Sequence, residues 1–262
     1  MMGNKKFIIV LIKWLALIVY LLLILGFVHR KRVNTNCNYI VCNIDKAHEF
    51  VDTTNVLNLL RHDSLYPLNQ KVKSLNLLEI EAVIESHEAI KDAEVYLDMD
   101  GVLHLDVLQR NPVLRIITQT NMHYYVDEEL GLMSVGYDYT ADVPVLSGYL
   151  PDTLVQAFRQ ENDTLKHSDL DFTMQEIIKF ADFIYHDKLW RDLFVQIYIN
   201  KNHEFELVPR ISNQIIMLGK LENYEYKMKK LKAIYMEAFP KYGWKNYREI
   251  NLKYSNQVVC SK

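Results

Sequence analysis

The sequence predicts an α+β protein in which a single N-terminal transmembrane helix precedes two folded domains. Three observations lead to this prediction. Residues 7–28 are almost uniformly apolar. Residues 37–112 follow the order β-α-α-β-β, and residues 113–262 mix short strands with two helices, which predicts a mixed β domain with flanking helices. The 262 residues, half of them hydrophobic, suffice for one or two domains with a sizeable core.

Residues 7–28 are long enough to cross a membrane. Lys13 is the one charge among these roughly 22 residues, and a helix of that length spans about 33 Å, against a hydrocarbon core of about 30 Å. Lys13 is near enough to the N-terminal end for its ammonium group to reach the interface. The alternatives are a buried core helix and a cleaved signal peptide. A signal peptide would need a shorter apolar region and a small-residue cleavage site, which is missing here.

The flanking charges do not determine the orientation of this segment. Lys5 and Lys6 precede it, and Arg30, Lys31 and Arg32 follow it. Because basic residues stand on both sides, the rule that positive charge stays inside the cell favours neither orientation clearly. Residues 1–6 are too few to fold, so any function lies in the C-terminal part of the chain.

The region 37–112 has the elements of a small α+β domain. Asp52 is placed to cap the first helix, Asn76 precedes the second, and Asp100-Gly101 is a hairpin signal. The predicted helices are 53–60 and 77–85, and the predicted strands are 39–44, 93–98 and 102–108. We expect both helices to cover one face of a three-stranded sheet.

From residue 113 onward, short strands dominate. Thr173 and Glu176 form a capping-box pattern that opens a helix over 174–186, and a second helix over 223–239 should end at Pro240. The strands are predicted at 113–117, 124–126, 193–199, 204–208, 214–218 and 249–260. Residues 150–170 are polar and carry no clear pattern. The lysine run of the second helix predicts a solvated face; it comprises Lys227, Lys229, Lys230 and Lys232.

Composition argues against several classes of function. Only 8 residues are glycine, which disfavours a glycine-rich phosphate loop, and a net charge of -3 gives no reason to expect nucleic acid as a partner. The three cysteines are Cys37, Cys42 and Cys260. They form no Cys-x-x-Cys pair, and the histidines show no ligand spacing, so we expect neither a zinc site nor any other metal or cofactor.

One segment does resemble a catalytic motif. Asp98-Met99-Asp100-Gly101 is similar to the first motif of the haloacid-dehalogenase-like phosphatases. In that interpretation Asp98 would be the nucleophile and Asp100 the general acid/base, with a Mg²⁺ ion at the carboxylates. The context argues against it, because strand alternation resumes at once after Gly101, as in an antiparallel hairpin. A membrane-anchored phosphatase therefore stays as the alternative function.

The order of several short motifs resembles the FtsQ/DivIB family of cell-division proteins. Residues 78–84 and 89–95 are similar to the second helix and following strand of its POTRA domain, and 101–114 to the junction between its two domains, with Gln109 in place of a glutamate. Further similarity is seen at 125–131, 143–148 and 218–219, at Lys227, and at 250–254, where Asn251 and Lys253 replace aspartate and arginine. A secretion or assembly factor with a POTRA domain is a further alternative.

This resemblance implies a non-enzymatic, single-pass scaffold of the bacterial divisome. Its N-terminus would be cytoplasmic and its folded domains periplasmic, at the inner membrane of the division septum. It would bind FtsB and FtsL, help to regulate septal peptidoglycan synthesis, and contact other division proteins through the POTRA domain. The implied parts are a cytoplasmic tail 1–6, a transmembrane helix 7–28, a linker 29–36, a POTRA domain 37–112 and a β domain 113–262.

The resemblance also implies where the partner binds. In this family FtsB adds a strand to the last strand of the β domain, where an open edge offers unpaired N–H and C=O groups. Lys253 stands where the family has a basic residue that pairs with an acid of the partner, but lysine lacks the arginine fork. Tyr254 is an aromatic contact candidate, and an ordinary edge-strand pair is the alternative for both. The implied binding residues are Asn251, Leu252, Lys253, Tyr254, Ser255, Asn256, Gln257, Val258 and Val259.

Overall fold

The structure is a computed structural model that describes residues 13–24, 35–98, 100–134, 139–159, 170–211, 213–244 and 246–262. Residues 13–24 form a helix, α1, with exposed side chains. Within the described residues no helix is both long and apolar enough to cross a membrane. The remainder of the predicted segment 7–28 lies outside those residues, as do the tail 1–6 and most of the linker 29–36.

The chain divides into two compact units between Gln109 and Arg110, three residues before the expected domain boundary. The first unit contains a three-stranded sheet of order β1-β3-β2, in which β3 pairs parallel with β1 and antiparallel with β2. Its elements are β1 (Tyr39–Ile44), α2 (Thr53–His62), a 3-10 turn (Val72–Ser74), α3 (Leu77–Glu85), β2 (Ile90–Leu97) and β3 (Val102–Gln109).

The first unit confirms the predicted arrangement of its elements. Leu103, Leu105 and Val107 alternate along β3 and are all buried, while α3 packs on β2 and α2 on β1. Asp52 caps α2 as predicted, since its Oδ1 accepts from the Asn55 N–H at 2.7 Å. Asn76 instead makes no capping bond to the backbone of α3.

The second unit contains a nine-stranded sheet of order β12-β11-β10-β9-β8-β7-β4-β5-β6. The strands up to β8 are β4 (Pro112–Ile117), β5 (His123–Asp127), β6 (Leu132–Ser134), β7 (Val145–Gly148) and β8 (Phe194–Ile199). The last four are β9 (Phe205–Pro209), β10 (Ile215–Gly219), β11 (Glu249–Asn251) and β12 (Val259–Ser261). The helices are α4 (Asp152–Arg159), α5 (Met174–His186), α6 (Lys188–Leu193), α7 (Tyr224–Ala233) and α8 (Phe239–Tyr242). Side chains from the sheet and the helices share one core, in which Trp190 and Phe180 are fully buried.

Pro240 does not end the last long helix, contrary to the prediction. After α7 the chain widens into a π-helical turn (Ile234–Ala238) and continues as α8 to Tyr242. Pro240 stands in the first turn of α8, where its missing N–H is tolerated. The helical segment ends instead at Gly243, whose φ of 93° is accessible to glycine.

The predicted continuous strand over 249–260 is also wrong. The chain forms β11, turns through residues 252–258, and returns as β12, which pairs antiparallel with β11. Asn251 favours this turn, because its Oδ1 accepts from the Lys253 N–H at 3.0 Å. The Leu252 N–H donates to the Met217 carbonyl oxygen, and the Leu252 side chain is fully buried. The chain leaves the strand direction immediately after this residue.

Candidate partner-binding edge

β12 forms one border of the nine-stranded sheet. It pairs with β11 in the register Glu249↔Ser261, Ile250↔Cys260 and Asn251↔Val259, and no other described strand pairs with it. In an antiparallel strand the backbone groups point alternately to either side, so part of the N–H and C=O groups of β12 face outward. Val259 is 44% exposed, whereas Val258 and Cys260 pack partly on the core. The edge is therefore anchored to the core and open on its outer side.

The nine predicted binding residues do not lie in one strand. Asn251 ends β11, Leu252 belongs to the core, and Val259 begins β12. The intervening six residues, from Lys253 to Val258, form the connection between these two strands. Of the predicted set, Val259 alone belongs to the edge strand itself, and the connection lies between β11 and β12.

Lys253 already has a charged partner within the chain. Its Nζ lies 3.2 and 3.0 Å from the two carboxylate oxygens of Glu204. Its aliphatic stem lies against Gly219, where a Cβ atom would stand 2.7 Å from the Lys253 Cγ. An acidic group of a partner would therefore compete with Glu204 for this ammonium. Tyr254 is 50% exposed.

Lys230 of α7 holds the connection between β11 and β12. Its Nζ donates to the Tyr254 carbonyl oxygen at 2.5 Å and lies 3.4 Å from the carbonyl oxygens of Leu252 and Ser255. An ammonium group has three N–H donors, which matches three converging carbonyl oxygens. Burial lowers the pKa of Lys230. The same Nζ stands 5.3 Å from the ring centre of Tyr226.

The predicted solvated face describes Lys229 and Lys232, which are exposed, whereas Lys227 and Lys230 are partly buried. Lys227 donates to the Lys220 carbonyl oxygen at 2.6 Å, and burial lowers the pKa of Lys227. Lys232 lies 3.5 Å from an oxygen of Asp187. Sequence periodicity can place such lysines on a helix face, but it cannot show which distant carbonyl oxygens meet that face.

Replacing Lys230 by methionine should loosen the connection between β11 and β12. The substitution keeps the length of the stem and removes all three donors, so we expect amide hydrogen exchange to accelerate over residues 252–261. The stability cost should be about 1–3 kcal/mol, as for hydrogen bonds to a charged group. The matched control is Lys229→Met, one residue earlier on the exposed surface of α7. Equal exchange in the two variants would contradict the role of Lys230.

The phosphatase-like segment forms a hairpin turn between β2 and β3. The Asp98 Oδ1 accepts from the N–H groups of Asp100 and Val102, both at 2.9 Å, and its Oδ2 lies 3.6 Å from His104 Nε2. The hydrogen bond from Val102 contributes most to lowering the pKa of Asp98. The carboxylate that would act as nucleophile therefore closes a turn of an antiparallel hairpin, as the sequence context predicted.

The chain combines a β-α-α-β-β unit with a larger α+β unit whose C-terminal strand has an open edge. This combination defines a class of two-domain proteins with a POTRA-like domain. The family model for the POTRA-like domain matches residues 35–108. The model described as FtsQ/DivIB, C-terminal related, matches residues 111–261, which is more than half of the chain. The chain belongs to the FtsQ/DivIB family. No curated protein matches it.

Proposed function

We propose that this chain is a non-enzymatic scaffold of the bacterial divisome that works by binding other division proteins. Membership of the FtsQ/DivIB family supports this function. The turn role of Asp98 also supports binding over phosphoryl transfer, because one of its carboxylate oxygens is already engaged by two backbone N–H groups.

The proposal includes a single-pass topology. Residues 7–28 would anchor the chain in the inner membrane with residues 1–6 in the cytoplasm. Both folded units would then lie in the periplasm at the division septum. The apolar sequence of this segment supports the anchor, and its helical part, α1, presents exposed apolar side chains.

The open outer side of β12 is the observation that carries the proposed binding mode. A strand of FtsB would add to this edge, with FtsL in the same complex, and through them the chain would help to regulate septal peptidoglycan synthesis. Backbone hydrogen bonds would supply affinity, and the exposed side chain of Val259 would contact the added strand. Tyr254, which is exposed in the connection, would be an aromatic contact beside that strand. The POTRA domain would contact other division proteins.

Replacing Val259 by proline should abolish co-purification of FtsB and FtsL with the full-length chain. Proline removes a backbone N–H and is poorly accommodated in a paired strand, so β12 could no longer serve as a template. We expect bound partner to fall at least tenfold, measured by quantitative pull-down from membranes in mild detergent. A fluorescent fusion of the variant should also lose its enrichment at midcell.

The matched control is Ser134→Pro in β6, the strand at the opposite border of the same sheet. Both substitutions place proline at an exposed position of a three-residue edge strand. Circular dichroism of both variants checks that the domain stays folded. Retained partner binding in Val259→Pro, or an equal loss in both variants, would reject strand addition at β12.

A further inference from the structure

Three side chains capable of binding a metal meet at the C-terminal end of α5. Asp182 and His186 are one helical turn apart on α5, and Glu128 follows β5 in the turn to β6. One candidate ligand atom from each of the three lies within 4.8 Å of the others. The three side chains are 42%, 58% and 44% exposed respectively, so a hydrated ion can reach them.

The hydrogen bond of His186 leaves one ring nitrogen available. Its Nδ1 lies 3.1 Å from the backbone carbonyl oxygen of Asp182. A carbonyl oxygen can only accept, so this bond requires the proton on Nδ1 and places the lone pair of the neutral ring on Nε2. Nε2 lies 3.7 Å from Glu128 Oε2. Two acceptors thus face each other at a separation that a shared cation can bridge. A backbone carbonyl that fixes the other ring nitrogen is also the usual support of a metal-binding histidine.

One carboxylate oxygen of Asp182 is incompletely satisfied. Its Oδ1 is shielded from solvent and makes no hydrogen bond within the described residues. His186 Nδ1 stands 3.0 Å away from this oxygen, but the bond of that nitrogen goes to the backbone carbonyl oxygen. This oxygen therefore has an ion-pair contact with the imidazole but no hydrogen bond, and a bound cation would give it a direct ligand contact.

We propose that Glu128, Asp182 and His186 bind a divalent transition-metal ion, with zinc as the best match. One imidazole nitrogen and two carboxylate oxygens are ligands that zinc accepts at about 2.0–2.2 Å, with water in the fourth position. The imidazole favours zinc over calcium or magnesium, which prefer oxygen ligands. The negative end of the α5 dipole lies at the same place and favours a cation.

The ion would join the β5–β6 turn to the end of α5. The sequence alone predicted no metal site, because Glu128 is remote along the chain and the nine histidines form no cluster. The spacing Asp182-x-x-x-His186, which places both side chains on one helix face, is the signal that could have drawn attention to it.

Zinc titration of the full-length chain tests this site. The protein is purified in detergent without a polyhistidine tag, and Zn²⁺ binding is measured by isothermal titration calorimetry in a non-chelating buffer with excess Mg²⁺. We expect saturable binding of one ion per chain. His186→Ala, Asp182→Asn and Glu128→Gln should each weaken this binding at least tenfold, while thermal unfolding without zinc shows that the variants are folded.

His62→Ala is the matched control, because His62 is an exposed histidine with a single carboxylate, Asp63, 3.1 Å from its Nδ1. It should bind zinc as the unaltered chain does. Co²⁺ as a spectroscopic probe should show no thiolate charge-transfer band, which excludes the cysteines as ligands. The proposal fails if the unaltered chain does not bind zinc, leaving only an ion pair between protonated His186 and the acids. It also fails if His186→Ala binds like the unaltered chain.

Discussion

Replacing Asp127 by alanine should lower the free energy of unfolding of the second unit by about 3–5 kcal/mol. The Asp127 side chain is only 3% exposed, and its Oδ2 lies 2.8 Å from Nη1 of Arg110, which is 26% exposed. Removing the carboxylate leaves a guanidinium group that is largely shielded from water and has lost its charged partner. The expected cost is large for this reason, rather than because ion pairs are strong in general.

The second oxygen of Asp127 organises the turn between β5 and β6. Its Oδ1 accepts from the N–H groups of Glu129 and Gly131, at 3.0 and 2.6 Å. Gly131 packs so closely on Arg110 and Asp127 that an added Cβ would overlap both side chains. Asp127→Asn keeps the shape of the side chain but loses the charge. It should therefore lower the free energy of unfolding by less than Asp127→Ala does.

The measurement is urea unfolding of the full-length chain, with hydrogen exchange of peptides from β4, β5 and β6 reporting on this unit. Asp142→Ala is the matched control, because the Asp142–Arg210 pair is charged in the same way, at 3.1 Å, but its side chains are 87% and 50% exposed. That control should cost at most about 1 kcal/mol. A similar loss of unfolding free energy in the two variants would show that burial does not make the Asp127–Arg110 pair more important for stability than an exposed pair.

The Asp127 turn also shows what the sequence could predict. The Tyr125–Gly131 segment resembles a family motif, and the structure gives that motif a physical meaning in the contacts among Asp127, Gly131 and Arg110. Alternating strands such as β3 could be predicted because apolar side chains at every second position mark a buried face. Three- and four-residue strands such as β7 and β12 contain too few positions to show a period, so their pairing is determined by contacts distant in sequence.

The candidate edge was predictable in position but not in detail. The family resemblance implied a binding site near the C-terminus that included Val259, and Val259 is the first residue of the edge strand. The sequence could not show that Asn251 ends a strand, that Glu204 pairs with Lys253, or that Lys230 fastens the connection. Each of these features joins residues from separate elements, and their spacing along the chain carries no signal of the contact.

Gln109→Glu should destabilise the first unit by about 3–5 kcal/mol at neutral pH. The surroundings of this side chain require an uncharged amide group. Gln109 is 4% exposed at the end of β3. Its Nε2 donates to the carbonyl oxygens of Asp45 and His48, at 2.7 and 2.6 Å, and its Oε1 accepts from the Val51 N–H at 3.0 Å. A carboxylate would place a charged acceptor against two other acceptors.

The effect of this substitution should depend on pH in a defined direction. Burial and the two carbonyl oxygens favour the neutral form, so the pKa of the introduced carboxyl group is higher in the folded state than its unfolded value of about 4.3. The charge penalty is therefore complete above the raised pKa and shrinks as the pH falls towards about 4.3. A smaller loss persists in acid, because a protonated carboxyl group donates one hydrogen bond where the amide donates two.

Gln70→Glu separates this argument from a general intolerance of added charge. Gln70 belongs to the same unit, and its Nε2 also donates to a backbone carbonyl oxygen, that of Tyr66, at 2.8 Å, but the side chain is exposed. Its substitution should cost at most about 1 kcal/mol and show little pH dependence. Urea unfolding with hydrogen exchange over β2 and β3 measures both variants. If Gln109→Glu were as mild as this control, or became more harmful as the pH fell, the two carbonyl oxygens could not be the reason that this position requires an amide.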